Sequence, residues 1–339
     1  MPYLEKNGFE CTLAPLVNEK DDNILYAEEH YFNKFIITIK SFLKRLSDVR
    51  AASKFDIVFI QREAYFLGTA YFENKFNRSG AKVVFDFDDA IWLLDISDVN
   101  KKFGWLKSPT KTAEIISIAD LVIAGNPYLA NFANTYNPHV LMIPTSVDTD
   151  KFKRKTAVAG KKQVCIGWTG SHTTIKHFSL ALPFLKELKK KYGDKICFKV
   201  IGDPAYTEPE LGIKGLKWNN VTEIDDLSEI DIGIMPLPDD AWSRGKCGLK
   251  SLEYMSLCIP PVVSPVGVNT DIVNDGVNGF VADAHAEWVE KISRLIESPQ
   301  LRLEMGERAR QTIIEKYSVL AHRDKYVQLL NDLVAATPQ

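Results

Sequence analysis

The chain alternates short, unbroken apolar runs with longer stretches whose apolar positions recur every three or four residues. The short runs fall at 56–62, 82–89, 120–126, 140–144, 164–168, 197–202, 232–235, 261–264 and 279–282. Runs of this length, bounded by Gly, Pro, Asn or Asp, predict strands buried on both faces. Residues 11–16 and, more weakly, 219–223 are two further strand predictions. Helical spacing predicts helices over 31–47, 108–119, from Pro127, over 174–192, after Gly248, and over 285–296, 302–317 and 319–334. Strand–helix alternation of this kind specifies an α/β protein with parallel sheets covered on both faces. The pattern restarts at Val164, after residues 150–163, which hold six Lys/Arg and no long apolar run. Two Rossmann-like domains are therefore expected, 1–150 and 151–318, with 319–339 a closing helix.

Composition narrows the function classes. The 339 residues are 45% hydrophobic and 25% charged, which suits two globular cores. A net charge of −2 argues against general nucleic-acid binding. The five cysteines are scattered without a CxxC pair, pointing to buried thiols in a reducing compartment. No apolar run is long enough to span a bilayer, and Met-Pro-Tyr-Leu-Glu-Lys lacks the layout of a signal peptide, so the expected location is cytoplasmic. Residues 31–50 keep two readings open. Phe35, Ile39, Phe42 and Leu46 form an apolar stripe beside Lys34, Lys40, Lys44, Arg45 and Arg50. A core-facing helix with a solvated basic face is the plainer reading; adsorption to anionic lipid at the inner face of the plasma membrane is the other.

Candidate chemistry concentrates between Asp231 and Gly267, which reads as strand, loop, helix and strand. In such a crossover the helix start lies at the carboxyl edge of the sheet, where unpaired N–H groups and the positive dipole end attract anions. Gly245–Gly248 form that start, Lys246 and Lys250 add charge, and Glu253 lies one turn in as an acceptor for sugar hydroxyls. Phosphate beside hydroxyls describes a nucleotide or nucleotide-sugar; the plain alternative is a helix with surface lysines. Gly170-Ser171, directly after a strand, offers bare N–H groups and a hydroxyl to a phosphate. Asp86-Phe-Asp88-Asp89 places Asp86 and Asp88 on one strand face. A metal site and N-capping of the following Ala90-Ile-Trp-Leu both stand as readings, and no further ligand cluster accompanies the acids. Arg62-Glu63 ends the preceding strand in the same way. The histidines are isolated, and neither the GxGxxG fingerprint nor a GxSxG elbow occurs.

The 231–267 stretch resembles the C-terminal half of the retaining glycosyltransferases of family four, which have the GT-B fold. Gly248, Glu253 and Ile259-Pro-Pro-Val-Val263 match the family signature, as do Ser264-Pro-Val-Gly267, Asn274-Asp-Gly-Val-Asn-Gly-Phe280 and Met305-Gly306. Gly245-Lys-Cys-Gly-Leu-Lys250 reproduces a Gly-Lys-Cys-x-x-Lys variant, while Gly245 itself stands where the family usually has the first of two glutamates. The resemblance implies sugar transfer from a UDP- or GDP-linked donor to a glycan or lipid-linked hydroxyl acceptor, in bacterial cell-surface polysaccharide assembly, without metal or other cofactor. It assigns the diphosphate to Lys246, Lys250 and the Gly170-Ser171 loop, and the donor to Gly248, Leu249 and Glu253. Asp88 or Asp89 would orient the acceptor, with Arg62, Glu63 and Asp86 as further inter-domain cleft candidates. Lys176 lies near a family lysine whose paired arginine is missing here; a solvated lysine is the alternative. The absent first glutamate keeps a non-catalytic partner of the same fold in view, and an epimerase is the third reading. Family members begin with a strand and a glycine-bearing loop, so this sequence is expected to start about 25–35 residues late, with the first strand missing.

Overall fold

The computed structural model describes residues 2–26, 29–93, 108, 110–153 and 163–335. The chain divides into two compact units, Met1–Pro144 with Arg323–Gln339, and Thr145–His322. The first boundary therefore precedes residue 150. Phe152, inside the stretch read as a linker, is buried in the second unit's core with Val147 and Leu237. Residues 154–162 of that stretch lie outside the described residues.

In the first unit, β1 (Ile57–Gln61), β2 (Lys82–Phe87), β3 (Leu121–Ala124) and β4 (Val140–Met142) form one parallel sheet in that order. The central strands are buried on both faces, as their unbroken apolar runs require: Val83, Val84, Phe85, Val122 and Ile123 are fully enclosed. Pro127 opens the helix Pro127–Asn134, and the Asn126 side chain accepts the Leu129 N–H at 2.8 Å, a sequence-coded start. Val319–Ala335 is one helix whose Tyr326, Leu329, Leu330 and Leu333 pack around Val84, Leu121, Ile123 and Ile143. Residues 11–16 are irregular, contrary to expectation. Among the described residues they find no ladder partner, and Leu13 stands exposed. The sheet runs without a gap and β1 is its edge.

In the second unit, β5 (Val164–Thr169), β6 (Ile196–Ile201), β9 (Ile232–Met235), β10 (Pro261–Val263) and β11 (Phe280–Val281) form a parallel sheet. A small antiparallel pair, β7 (Thr207–Glu208) and β8 (Ile213–Lys214), lies between β6 and β9 in the chain. The sheet order is β11-β10-β9-β5-β6. The chain steps from β5 to β6, then returns past β5 to add β9, so the winding reverses between β5 and β9. At such a reversal, open α/β sheets bind ligands beyond the carboxyl ends of the strands. Residues 219–223 are not a strand: the Asn219 side chain accepts the Val221 N–H at 2.9 Å, and this local turn leads into the helix Glu223–Ser228. The 174–192 helix is broken by a 3-10 turn at Ser179–Ala181, just before Pro183 enters the first turn of Leu182–Tyr192.

Several motif residues hold this frame together. Asn278 accepts the Asn274 N–H at 2.7 Å and donates to the Ile272 carbonyl and Thr312 Oγ1, both at 3.1 Å. Gly306 lets Pro299–Thr312 press on the chain at Cys258: a Cβ there would sit 2.1 Å from the Cys258 carbonyl oxygen. Arg310 donates to the carbonyls of Phe152 (2.8 Å), Thr149 (3.3 Å) and Ser256. The last of these is in the final turn of Leu249–Ser256, where a cation complements the helix dipole.

Candidate functional site

The site of the second unit is built where β5, β9 and the helix Leu249–Ser256 converge. Gly248 adopts a left-handed φ of 72°, which lets the chain turn from the loop into the helix, and no side chain caps that helix start. Lys246 and Lys250 are half-buried on either side of it. The Lys250 ammonium lies 5.5 Å from the ring centre of the buried Trp168 on β5, and the Lys246 ammonium 5.4 Å from that of Trp242. Each ammonium thus lies over an aromatic face beside the helix start, and together they bring positive charge to it. Leu249 opens the helix with an exposed side chain, so its place in the site rests on its backbone.

Tyr254 fixes the helix against the sheet. It is fully buried, its ring packs over Gly233 of β9, and its hydroxyl accepts the Thr169 N–H at 2.9 Å at the end of β5. A Cβ on Gly233 would stand 2.3 Å from that ring. The next two residues are the predicted phosphate loop. Gly170 has no room for a side chain, since a Cβ would meet the Trp168 ring at 2.2 Å. The Ser171 N–H donates to Thr174 Oγ1 at 2.8 Å while the Ser171 side chain accepts the Thr174 backbone N–H, a capping box on the turn His172–Thr174, and the Ser171 hydroxyl also lies 2.9 Å from Thr173 Oγ1. Ser171 thus already has a structural task. His172 is exposed and its Nδ1 is 2.9 Å from Asp203 Oδ2; Lys176 is exposed.

Glu253 is half-buried, and its carboxyl is pushed up to about 8, first by burial and then by the like charge of Glu223, against the pull of Lys250 and Lys151. Near neutral pH it therefore holds a proton and can both donate to and accept from hydroxyls. Glu223 accepts the Trp218 indole N–H at 2.8 Å and lies 3.8 Å from Lys151. His177 is buried, and its imidazole is pushed down to about 4 by burial, then by Lys246 and Lys250. Sequence reasoning missed Glu223, Lys151 and His177, because they reach the site from separate turns with no motif to join them. Tyr254 and Trp168 were visible only as neighbours of Glu253 and Gly170.

The acidic candidates of the first unit gather at the carboxyl ends of β1 and β2. Arg62 takes a left-handed φ of 65°, unusual for a residue with a side chain, and its N–H donates to the Asp86 carbonyl at 2.8 Å. Its guanidinium is 2.7 Å from Asp89 and 3.9 Å from Asp88. Asp89 is thereby engaged by Arg62, and Ala90–Trp92 continues as turns rather than a capped helix. Asp86 is half-buried, its carboxyl raised to about 7 by burial and by Asp88. Glu63 pairs with Lys111 at 3.0 Å, beside the fully enclosed Glu73. Among the described residues no group of three or more potential metal ligands occurs. A cavity of about 260 Å³ lined by Ser53, Phe55, Asp56, Ser79, Gly80 and Val334 opens at the opposite, amino ends of β1 and β2, away from these side chains.

Residues 148–312 match the family model described as Glycosyl transferases group 1. A segment of 87 residues is 32% identical to a poly(ribitol-phosphate) alpha-N-acetylglucosaminyltransferase of Staphylococcus aureus, and one of 86 residues is 33% identical to a trehalose synthase of Pyrococcus horikoshii. Each segment is 25% of this chain, and they span 18% and 21% of those two proteins. Among solved structures, a sucrose-phosphate synthase of Thermosynechococcus elongatus superposes with a TM-score of 0.64 at 14% identity, covering 89% of this chain and 79% of that one. HepE of Anabaena, in complex with UDP and glucose, gives 0.64 at 14% identity over 85% and 81%. TarM gives 0.59 at 16% over 81% and 54%. At these identities the likeness establishes the fold, the two-domain GT-B type.

Proposed function

We infer that this chain is a group 1 glycosyltransferase. The family match over residues 148–312 supports that reading, and one observation carries it: an uncapped helix start flanked by Lys246 and Lys250, facing the glycine loop after β5 at the winding reversal, with Glu253 one turn further in. The backbone N–H groups of Gly248–Lys250 and the two ammonium groups suit a diphosphate, and Glu253 suits the hydroxyls of a ribose. The donor is a nucleoside-diphosphate sugar. The HepE structure is a complex with UDP, which favours uridine over guanosine as the first donor to test.

In the reaction, the bond from the sugar anomeric carbon to the diphosphate breaks and a bond to the acceptor oxygen forms on the same face. The acceptor proton passes to the departing phosphate oxygen. Lys246 and Lys250 stabilise the charge that builds on the leaving group, usually the largest catalytic contribution. No metal is required for that role in this reading. Asp88 or Asp89 orients the acceptor hydroxyl, with Arg62, Glu63 and Asp86 supporting. The acceptor is a glycan or lipid-linked carrier of cell-surface polysaccharide assembly, met on the cytoplasmic side; the likeness to a poly(ribitol-phosphate) transferase supports that class.

Gly245 favours a second reading. It is a buried glycine where the family carries a glutamate, and the nearest acids along the chain are engaged elsewhere: Asp239 pairs with Arg244 at 2.6 Å, and Asp240 caps the turn at Ser243. A non-catalytic partner of the same fold would bind nucleotide and turn nothing over. Titration calorimetry against a panel of nucleoside diphosphates, followed by nucleoside diphosphate release with and without acceptor, separates the two. Acceptor-dependent release is the expected result. Binding without such release leaves the partner, and absence of binding overturns both.

A further inference from the structure

The helical turn that follows the glycine loop carries two basic residues with opposite fates. Lys176 is exposed, whereas its neighbour His177 is only 4% exposed. The turn Ile175–Phe178 is packed against the buried tryptophan of the donor site. Phe178 meets Trp168 with ring centres 5.7 Å apart, and the Lys250 ammonium lies 5.5 Å from the centre of that same Trp168 ring. Among the described residues, His177 Nδ1 meets no hydrogen-bond partner. Buried polar atoms are nearly always paired, and one that is not calls for an explanation, a chemical role among the commonest. A side chain needed only to fill space would do so at less cost as an apolar ring, and Phe178 already supplies the apolar packing of this turn.

The charges around His177 say what it responds to. Lys246 and Lys250 act on it most strongly, then Lys176 from its own turn, while Asp240 opposes them from the cap of Ala241–Arg244. Three cations against one acid, added to burial, keep the imidazole neutral at neutral pH. Lys246 and Lys250 are also the two lysines assigned to the diphosphate. An anion held by them offsets their field at the ring and favours its protonated form. The diphosphate of a nucleotide-sugar carries two negative charges, which two lysines balance. A third develops on the departing phosphate as the sugar leaves, and a proton on His177 answers it through the field rather than by contact.

We propose that His177 is a proton-linked residue of the donor site, taking up a proton when an anionic diphosphate settles on Lys246 and Lys250. The proposal rests on the donor-site reading and adds to it a residue and a pH dependence. Binding draws in protons, so affinity grows as pH falls. The probe is UDP-glucose, or GDP-mannose if the chain prefers guanosine, because the diphosphate of either has no ionisation of its own between pH 5.5 and 8. Calorimetry of the full chain at pH 7.5 and 6.0, each in two buffers of different ionisation enthalpy, gives both the affinity and the protons exchanged. Over that interval the parent should gain about threefold more affinity than His177→Asn, which keeps a hydrogen-bonding atom at the δ position but cannot titrate. His177→Phe, which keeps a ring and loses both nitrogens, should show the same flattened profile, and circular dichroism checks that both variants stay folded. Glu253 and the lysines are common to all three chains, so the difference belongs to His177. Equal profiles in parent and variants overturn the proposal. Net release of protons by the parent at pH 6.0 overturns it without any variant. Binding of neither probe at any pH means that the donor-site reading has failed and this one with it, whereas binding without the difference removes His177 alone.

Discussion

Glu253 shows how a residue chosen from spacing acquires its chemistry from surroundings. The sequence offered a carboxylate one turn into a helix, and burial beside Glu223 converts it into a group protonated near neutrality. Glu253→Ala should weaken nucleoside diphosphate binding by about 1–3 kcal/mol, the range for leaving polar groups unpaired. Lys250→Ala should instead depress turnover more than affinity, since its charge matters most when the diphosphate departs. Calorimetry and steady-state rates on the two variants check this, and parent-like values in both would place the site elsewhere. The lysines and Glu253 were legible because they share one helix start. Glu223, Lys151 and His177 were not, because their nearness is a product of folding alone.

At the scale of elements, the helix Leu249–Ser256 is held along its length and at its C-terminal end. Tyr254 joins it to β5, Gly233 admits the tyrosine ring, and Arg310 closes its last turn. Tyr254→Phe should cost about 1–3 kcal/mol in urea unfolding, because the buried Thr169 N–H loses its acceptor. It should also lower nucleotide affinity, since Thr169 leads directly into Gly170-Ser171; unchanged affinity with lost stability would show that the bond serves only the fold. The predicted strands 11–16 and 219–223 failed at this scale. Period and composition describe what a segment can pair with, whereas a strand exists only where a neighbouring ladder receives it. The 31–51 helix carries the same lesson: its apolar period was legible, but its fully buried positions are Ile37, Ser41 and Arg45, with only Phe42 of the apolar stripe making ring contacts inward.

At the scale of the whole molecule, both units bury carboxyls whose pKa is raised. Asp86 goes from an ordinary 3.8 to about 7, so the folded chain holds a proton that the unfolded chain releases above about pH 4. Stability from this group is therefore complete at acid pH and falls as pH rises towards 7. Asp86→Asn removes the ionisation, and its melting temperature should gain on the parent between pH 4 and pH 8, by about 2–4 °C for each kcal/mol. His177 acts in the other direction, its depressed value disfavouring the folded chain as pH falls from 6.5 towards 4. Thermal melts across this range check both signs, and a variant that gained nothing from pH 4 to 8 would count against a buried, protonated Asp86.

The sequence by itself determined the α/β class, the two parallel sheets, and the place of nearly every strand that lies between two others. Continuous apolar runs admit few other structures, and Gly, Pro and Asn mark where such runs stop. It also located the helix start at Gly248–Glu253, because a local turn and a charge spacing within one helix are properties of consecutive residues. Only the tertiary structure decided the domain boundary at Pro144, the roles of Arg310 and Tyr254, the pairing of Arg62 with Asp88 and Asp89, and the outward turn of the 31–51 apolar face. Each of these depends on which distant segment arrives at a given surface, and burial, charge neighbours and hydrogen-bond partners exist only after it has arrived.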